Sequence, residues 1–297
     1  AMMVSRRRSE ISKDKEVQSG IRKKLKIVIH VNRDIQNEVE QDLLTNGFFG
    51  FDPRNIILVD GGYGDEFSVQ EGGKEVTRVA NNLTWNHGFA FEQLDWLAGY
   101  YIDAKGDRHG IGKPVFDYLE EQGALYGLAR RINDGILLHP DQAIDKEIFA
   151  FLIDQQKGDA NAVGEVMKNP LGTKGGLALT TPKKTPFGFL LEGINANDTK
   201  IQEKLQDLIN KHGNVPYNRF YIAYNLKKIR EALRQSSGLP LTLKYADGNF
   251  TPEIPTGDLT YLDGVNMVLA QRKRDFLIEE KIIPEDMDYI TGEGALI

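Results

Sequence analysis

A chain of 297 residues, 40% of them apolar and 27% charged, is long enough for one large α/β domain with a substantial core. Its net charge of −6 argues against nucleic acid as the main partner. The absence of cysteine excludes disulfides, thiolate catalysis and cysteine-ligated zinc and fits a reducing, cytoplasmic setting, and no apolar run approaches a membrane span.

The chain opens on a basic stretch with Arg6, Arg7, Arg8, Lys13, Lys15, Arg22, Lys23 and Lys24. No apolar segment follows the early arginines, so it does not read as a secretory signal. Residues 1–25 are expected to be a solvated, peripheral lead-in to a single domain over 26–297. Lys26 to Val31 has the pattern of a buried strand. Asn32 and Asp34 are candidate caps for a helix with Ile35, Val39 and Leu43 on one face, and Gly47 is its stop. Asn55 to Val59 is a second apolar strand. Strand, helix and strand in so short a span make a βαβ unit and predict a parallel pair.

Residues 65–103 carry Trp85, His87, Phe89, Phe91 and Trp96 without a clear period. An aromatic-rich insertion packed over the sheet is the expectation, with a sugar-stacking platform as the alternative. Pro114 then suits the first turn of a helix bearing Val115, Phe116, Leu119 and Leu125. Further strands are expected at Ala160–Met167, Leu177–Thr181, Phe187–Leu191, Tyr221–Tyr224 and Pro240–Tyr245. Helices are expected at Thr199–Lys211 and Leu226–Arg234, and a loop at Asp247–Asp258.

The stretch Gly135–Asp145 reads as a strand (Ile136, Leu137, Leu138), an acidic turn and a helix start. Open α/β sheets bind ligands outside the carboxyl ends of their strands, and a carboxylate there can share Mg²⁺ with substrate phosphates. Asp141 filling a turn and Asp145 capping a helix is the competing explanation. Arg108 to Lys113 is a glycine-rich turn before a helix, suited to close approach of a flat ligand or simply to a loop. It is not a phosphate-binding loop, because Asp107 stands where the first glycine belongs and Pro114 where a hydroxyl residue belongs. Lys174-Gly175-Gly176 suits a hairpin, or a backbone platform for a sugar ring with a lysine beside it. Among the scattered histidines only His109 has informative neighbours.

In this order the segments resemble the UDP-sugar pyrophosphorylase superfamily, from about Lys26 to about Lys281. KIVIHVNRDIQNEVEQDLLTNGFFGFDPRNIILVDGG is similar to the family's strand, helix, turn and following strand. RHGIGKPVFDYLEEQGAL resembles its "PHGHGD" loop and helix, and GILLHPDQAIDKEIFAFL the segment with its metal-site aspartate. GEVMKNPLGTKGGLALT, FLLEG and NRFYIAYNLKKI resemble later segments, and Arg272, Phe276 and Lys281 a late basic signature.

The resemblance implies a glycosyltransferase-A-like α/β fold, its mixed, mostly parallel sheet flanked by helices. It also implies a uridylyltransferase that joins UTP to a sugar 1-phosphate with Mg²⁺, with UTP, sugar 1-phosphate or UDP-sugar as small-molecule partners and neither nucleic acid nor membrane. Asp141 would hold the metal. His109, Gly110 and Gly112 would shape the uridine pocket, and Gly175, Gly176, Glu192 and Asn218 would face the sugar. Lys174 and Lys281 would be the catalytic cations.

The sequence departs from that pattern at several positions. Residues 1–25 hold no counterpart of the family's glycine-rich phosphate loop, Gly20 being the one glycine there. Ile111 and Lys113 replace a histidine and an aspartate, and Phe220 and Tyr221 stand where a second sugar-binding asparagine belongs. Three readings stay open: a truncated or impaired uridylyltransferase, a non-catalytic UDP-sugar binder, or one part of a larger assembly.

Overall fold

The structure is a computed structural model. It describes residues 20, 23–32, 34–61, 66–71, 74–79, 87–130, 161–167, 177–180, 188–191, 203, 206–207, 210, 217–240, 242–246, 249–254 and 256–271. The strand expected at 136–138, Asp141, Asp145, Lys174, Gly175, Gly176, Glu192 and Lys281 lie outside them. The chain divides into two compact units, one of residues 1–124 and 237–256, the other of residues 125–236 and 257–297.

In the first unit β1 (Ile27–Val31) and β2 (Ile56–Asp60) run parallel, from Ile27 opposite Ile56 to Val31 opposite Asp60, with α1 (Gln36–Thr45) between them in sequence. The expected βαβ unit is present. Neither candidate caps α1, whose N-cap position is Ile35 and carries no side-chain hydrogen bond; Asn32 instead shapes the turn before the helix, its Oδ1 accepting from the backbone N–H of Asp34 at 3.1 Å and of Ile35 at 3.0 Å. Val39 and Leu43 pack with Val31, Ile56, Leu58 and Ile102 in one core cluster. Ile35 precedes the first helical turn and is 42% exposed, not inward as its spacing predicts.

After α1 the chain takes a left-handed turn through Gly47, Phe48, Phe49 and Gly50, with φ of 54°, 53°, 51° and 76°. For a residue with a Cβ that conformation costs roughly 1–2 kcal/mol. Burial of Phe48 in the cluster of Val31, Leu43 and Phe51 offsets it, since a large apolar side chain contributes about 1.5–3 kcal/mol.

The stretch expected to lie over the sheet is in part a component of it. It forms a hairpin of β3 (Glu66–Glu71) and β4 (Lys74–Val79), then α2 (His87–Trp96), then β5 (Ala98–Ile102), which pairs antiparallel with β2. β6 (Arg108–Pro114) pairs antiparallel with β5, so the sheet order is β1-β2-β5-β6. The sequence conceals β5 because Gly99 interrupts it. That glycine permits close packing: a Cβ there would fall 2.6 Å from Ile57 Cγ2 and 2.9 Å from the Leu58 carbonyl oxygen. Phe91 is buried, while Trp96 is 55% exposed and meets Phe89 ring to ring at 6.0 Å.

The glycine-rich segment expected as a turn is likewise strand, namely β6. Behind Pro114, α3 (Val115–Glu121) buries Val115, Phe116 and Leu119. Leu125 lies beyond its end and is exposed. The loop expected at 247–258 contains a strand. β12 (Thr242–Ala246) and β13 (Asn249–Glu253) form an antiparallel hairpin, and Pro252 is tolerated because, among the described residues, β13 has a strand on one side only. Its flanks are tied to α2: Gly88 N–H donates to the Ile254 carbonyl at 2.8 Å, and Leu239 N–H to the Glu92 carboxylate.

In the second unit β7 (Tyr126–Arg130), β8 (Ala162–Met167), β9 (Leu177–Thr180), β10 (Gly188–Leu191), β11 (Tyr217–Asn225) and β14 (Met267–Gln271) form one sheet in the order β10-β9-β11-β8-β14, with β7 also on β11. The expected hairpin is β9–β10, and the short strand expected at Tyr221 begins four residues earlier at Tyr217. Buried Asn161 joins three strands. Its N–H donates to the Asn266 carbonyl at 3.0 Å, its Oδ1 accepts from Asn266 N–H at 2.8 Å, and its carbonyl accepts from Asn225 N–H at 2.8 Å.

Asn225 also caps α4 (Leu226–Gln235), accepting from Lys228 N–H, and α4 buries Leu226, Ile229, Ala232 and Leu233. In the helix expected at 199–211, Glu203, Gln206, Asp207 and Asn210 are helical and exposed, as its polar face should be. The fold is mixed α/β. Among the described strands, however, only β1–β2 and β8–β14 pair in parallel, so the parallel majority is not found.

Candidate functional site

In the first unit the parallel strands end at Val31 and Asp60, and Gly61 N–H donates back to the Val31 carbonyl at 2.7 Å. α2 brings Gln93, 3% exposed, against this end; its Nε2 donates to the Gly61 carbonyl at 2.8 Å. The same side chain hydrogen-bonds His30, whose Nδ1 is buried without a partner. Burial drives the His30 imidazole down to about 4, only partly opposed by the Gln93 bond, so the ring is neutral at physiological pH. Gln93 and Gly61 escape a motif search because neither belongs to a recognisable spacing.

The three site residues expected near 109–112 share β6 but stand at different levels. His109 is opposite Tyr101, which places it toward the amino ends of β1 and β2. Its ring stacks on Tyr101 at 5.0 Å and 18°, and its Nε2 meets Asp103 Oδ2 at 3.1 Å. Asp103 Oδ1 also accepts from the backbone N–H of Lys105 and Asp107, which shapes the β5–β6 loop. The His109 bond, then the Lys105 N–H, hold the Asp103 carboxyl below its ordinary value.

Gly110 is opposite Tyr100, and the register then shifts so that Pro114 faces Ala98. Gly112 lies in this irregular stretch with φ of 71°, a conformation that favours glycine. Among the described residues, chain neighbours aside, no heavy atom lies within 4 Å of where a Cβ would stand at Gly110 or Gly112, which leaves this part of β6 room for a flat ligand. Lys113, placed where the resemblance has an acid, is engaged by Glu121 at 2.6 Å.

A polar network that sequence reading missed pins α1 to this hairpin. Tyr100 Oη donates to Glu40 Oε1 and accepts from Gln36 Nε2, both at 2.6 Å, and Arg108 Nη2 meets Glu40 Oε2 at 3.0 Å. Burial, then the Glu40 bond, push the Tyr100 phenol up to about 12. The four-residue spacing of Gln36 and Glu40 on α1 was the available signal.

Asn218 belongs to the second unit, in β11 opposite Val166, just before a bulge. The remaining expected site residues lie outside the described ones. Among the described residues no group of three or more histidines and acids could hold a metal ion, and no helix is long and apolar enough to cross a membrane.

No protein-family model and no curated protein sequence matches the chain. Solved structures do. The uridine diphosphate N-acetylglucosamine pyrophosphorylase of Trypanosoma brucei, in complex with an inhibitor, aligns with a TM-score of 0.54 and 11% identity over 92% of this chain and 53% of its own. A UDP-glucose pyrophosphorylase mutant of Leishmania major, in complex with UDP-glucose, aligns with a TM-score of 0.52 and 14% identity over 90% of this chain and 54% of its own. A protein of Entamoeba histolytica assigned as a UDP-N-acetylglucosamine pyrophosphorylase gives a TM-score of 0.54 and 14% identity, over 91% of this chain and 65% of its own. The chain thus has the α/β fold of UDP-sugar pyrophosphorylases, and it spans between about half and two thirds of the length of these structures.

Proposed function

We propose that the chain binds a uridine nucleotide and acts as a UTP–sugar-1-phosphate uridylyltransferase. The observation that carries this reading is the fold shared over some nine tenths of the chain with UDP-sugar pyrophosphorylases, one of them in complex with UDP-glucose. The order of the sequence segments agrees with it.

The reaction is in-line attack of a sugar-1-phosphate oxygen on the α-phosphorus of UTP, with pyrophosphate leaving. Catalysis of such a step is largely positioning and charge neutralisation. In this reading Gly110 and Gly112 leave space for the uracil ring, with His109, oriented by Asp103 and Tyr101, at the rim. Gly175, Gly176, Glu192 and Asn218 position the sugar, and Lys174 and Lys281 offset phosphate charge. Asp141 offers the hard oxygen donor that Mg²⁺ prefers, and the bound ion would supply further charge neutralisation at the phosphates.

The deciding experiment is pyrophosphate release from UTP and Mg²⁺ with a panel of hexose 1-phosphates. Turnover with at least one sugar is expected; silence with all of them overturns the enzymatic reading. A second reading, a non-catalytic UDP-sugar module, is favoured by Lys113, which is paired to Glu121 where the resemblance has an acid. Calorimetry would then show UDP-glucose binding without turnover, and no heat at millimolar ligand would exclude it.

A further inference from the structure

His109 meets Asp103 through Nε2 at 3.1 Å, and the carboxylate decides which ring nitrogen carries the proton. An ionised carboxylate can only accept, and a neutral imidazole has a single N–H. The proton therefore sits on Nε2, and Nδ1 is left a bare acceptor. The Asp103 carboxyl is held below its ordinary value, first by the His109 bond and then by the Lys105 N–H, which keeps it ionised and accepting.

The pair is held from both sides. Asp103 Oδ1 takes the backbone N–H of Lys105 at 2.8 Å and of Asp107 at 3.1 Å, so Oδ2 is the oxygen that faces the ring. Tyr101 stacks on the imidazole and fixes its plane. The lone-pair directions of the two ring nitrogens diverge widely, so Nδ1 faces away from Asp103. Among the described residues it has no partner, and the side chain is 44% exposed. A hydrogen bond at one ring nitrogen thus gives the other a single role.

We propose that His109 Nδ1 accepts the N3–H of uracil and so selects uridine over cytidine nucleotides, an assignment that rests on the uridine pocket proposed along β6. Uracil and cytosine have the same ring size and share the O2 oxygen; at N3 they differ in polarity. Uracil N3 carries a hydrogen, whereas cytosine N3 is itself an acceptor and would meet Nδ1 lone pair to lone pair. A fixed acceptor rejects a base without a donor there, because both acceptors are left desolvated and unpaired. Asp103 is then a positioning residue, acting only through the proton on His109.

Asp103→Asn tests this, because the fold dictates how the new amide lies. The N–H groups of Lys105 and Asp107 keep its oxygen where Oδ1 stands, which turns the amide NH2 toward His109. Nε2 must then accept, the proton moves to Nδ1, and the base-reading atom becomes a donor matched to cytosine.

Calorimetry with UDP-glucose and CDP-glucose is the measurement. The unmodified chain should bind UDP-glucose about tenfold tighter or more, and Asp103→Asn should lower that ratio by about fivefold or more. Long-range proton–nitrogen NMR of the ring, identified by its loss in His109→Phe, should find the proton on Nε2 in the unmodified chain and on Nδ1 in Asp103→Asn. Should Asp103→Asn fold poorly, His109→Phe keeps a ring on Tyr101, removes the acceptor and should abolish the preference. A chain that binds UDP-glucose and CDP-glucose equally, or keeps its preference in both variants, overturns the proposal and leaves the uridine reading standing. Binding of neither ligand overturns both.

Discussion

Gln93 holds the carbonyl of Gly61 at 2.8 Å from its Nε2, at the end of the parallel strands β1 and β2. The amide is buried on α2, so removing it leaves a backbone acceptor without its partner. Gln93→Leu is expected to lower stability by about 1–3 kcal/mol, the usual penalty for an unsatisfied buried polar group. If the ligand site lies at this end of the sheet, the same variant should weaken UDP-glucose binding. Thermal melting and calorimetry measure the two effects separately, and unchanged values in both would show that the bond positions nothing.

His30 makes the stability of the first unit depend on acidity. Its imidazole falls from 6.5 to about 4 on folding, because burial penalises the cation. With the folded value below the unfolded one, the full stability is present above pH 6.5 and declines as pH falls toward 4. Over that interval the loss should approach about 3 kcal/mol. His30→Leu should flatten that part of the profile. Urea denaturation at pH 7 and at pH 4.5 checks it, and equal slopes in the two proteins would contradict the assignment.

Gly110 and Gly112 separate folding from binding. Gly112 has a φ of 71°, so Gly112→Ala should cost roughly 1–2 kcal/mol of stability. Gly110 has open space about its Cα, and Gly110→Ala should melt as the unmodified chain does. If uracil lies against β6, Gly110→Ala should nonetheless weaken UDP-glucose binding about tenfold or more. Undiminished affinity would move the uridine pocket away from this strand.

Asp258 gives the second unit the opposite pH dependence. It is 8% exposed, and burial raises its carboxyl to about 6. The folded value exceeds the ordinary one of 3.8, so folding favours the protonated acid, and stability is lost as pH rises through 6. Asp258→Asn should therefore raise the melting temperature at pH 7.5 and leave it nearly unchanged at pH 4.5. A lower melting temperature at pH 7.5 would mean that the carboxylate has a stabilising partner.

Sequence alone sufficed wherever a segment's periodicity and its end signals agreed. Ile27–Val31, α1 and Ile56–Asp60 were legible as a parallel βαβ unit because two apolar runs bracket a segment with Val39 and Leu43 at helical spacing and a glycine beyond its end. The β9–β10 hairpin and α4 were legible for similar local reasons. β5 was not, because its glycine answers to the side chains of Ile57 and Val115 and not to any pattern along the chain.

Tertiary structure alone showed that Arg108–Pro114 is a strand, that His109 takes Asp103 and Tyr101 as partners, and that a lone glutamine links His30 to Gly61. Local sequence determines periodicity and caps, because these are set by neighbours three or four residues away. Which polar groups meet depends on how the strands pair and where the helices dock, Gln93 and Glu40 bonding residues thirty to seventy positions away, and only the folded chain decides that.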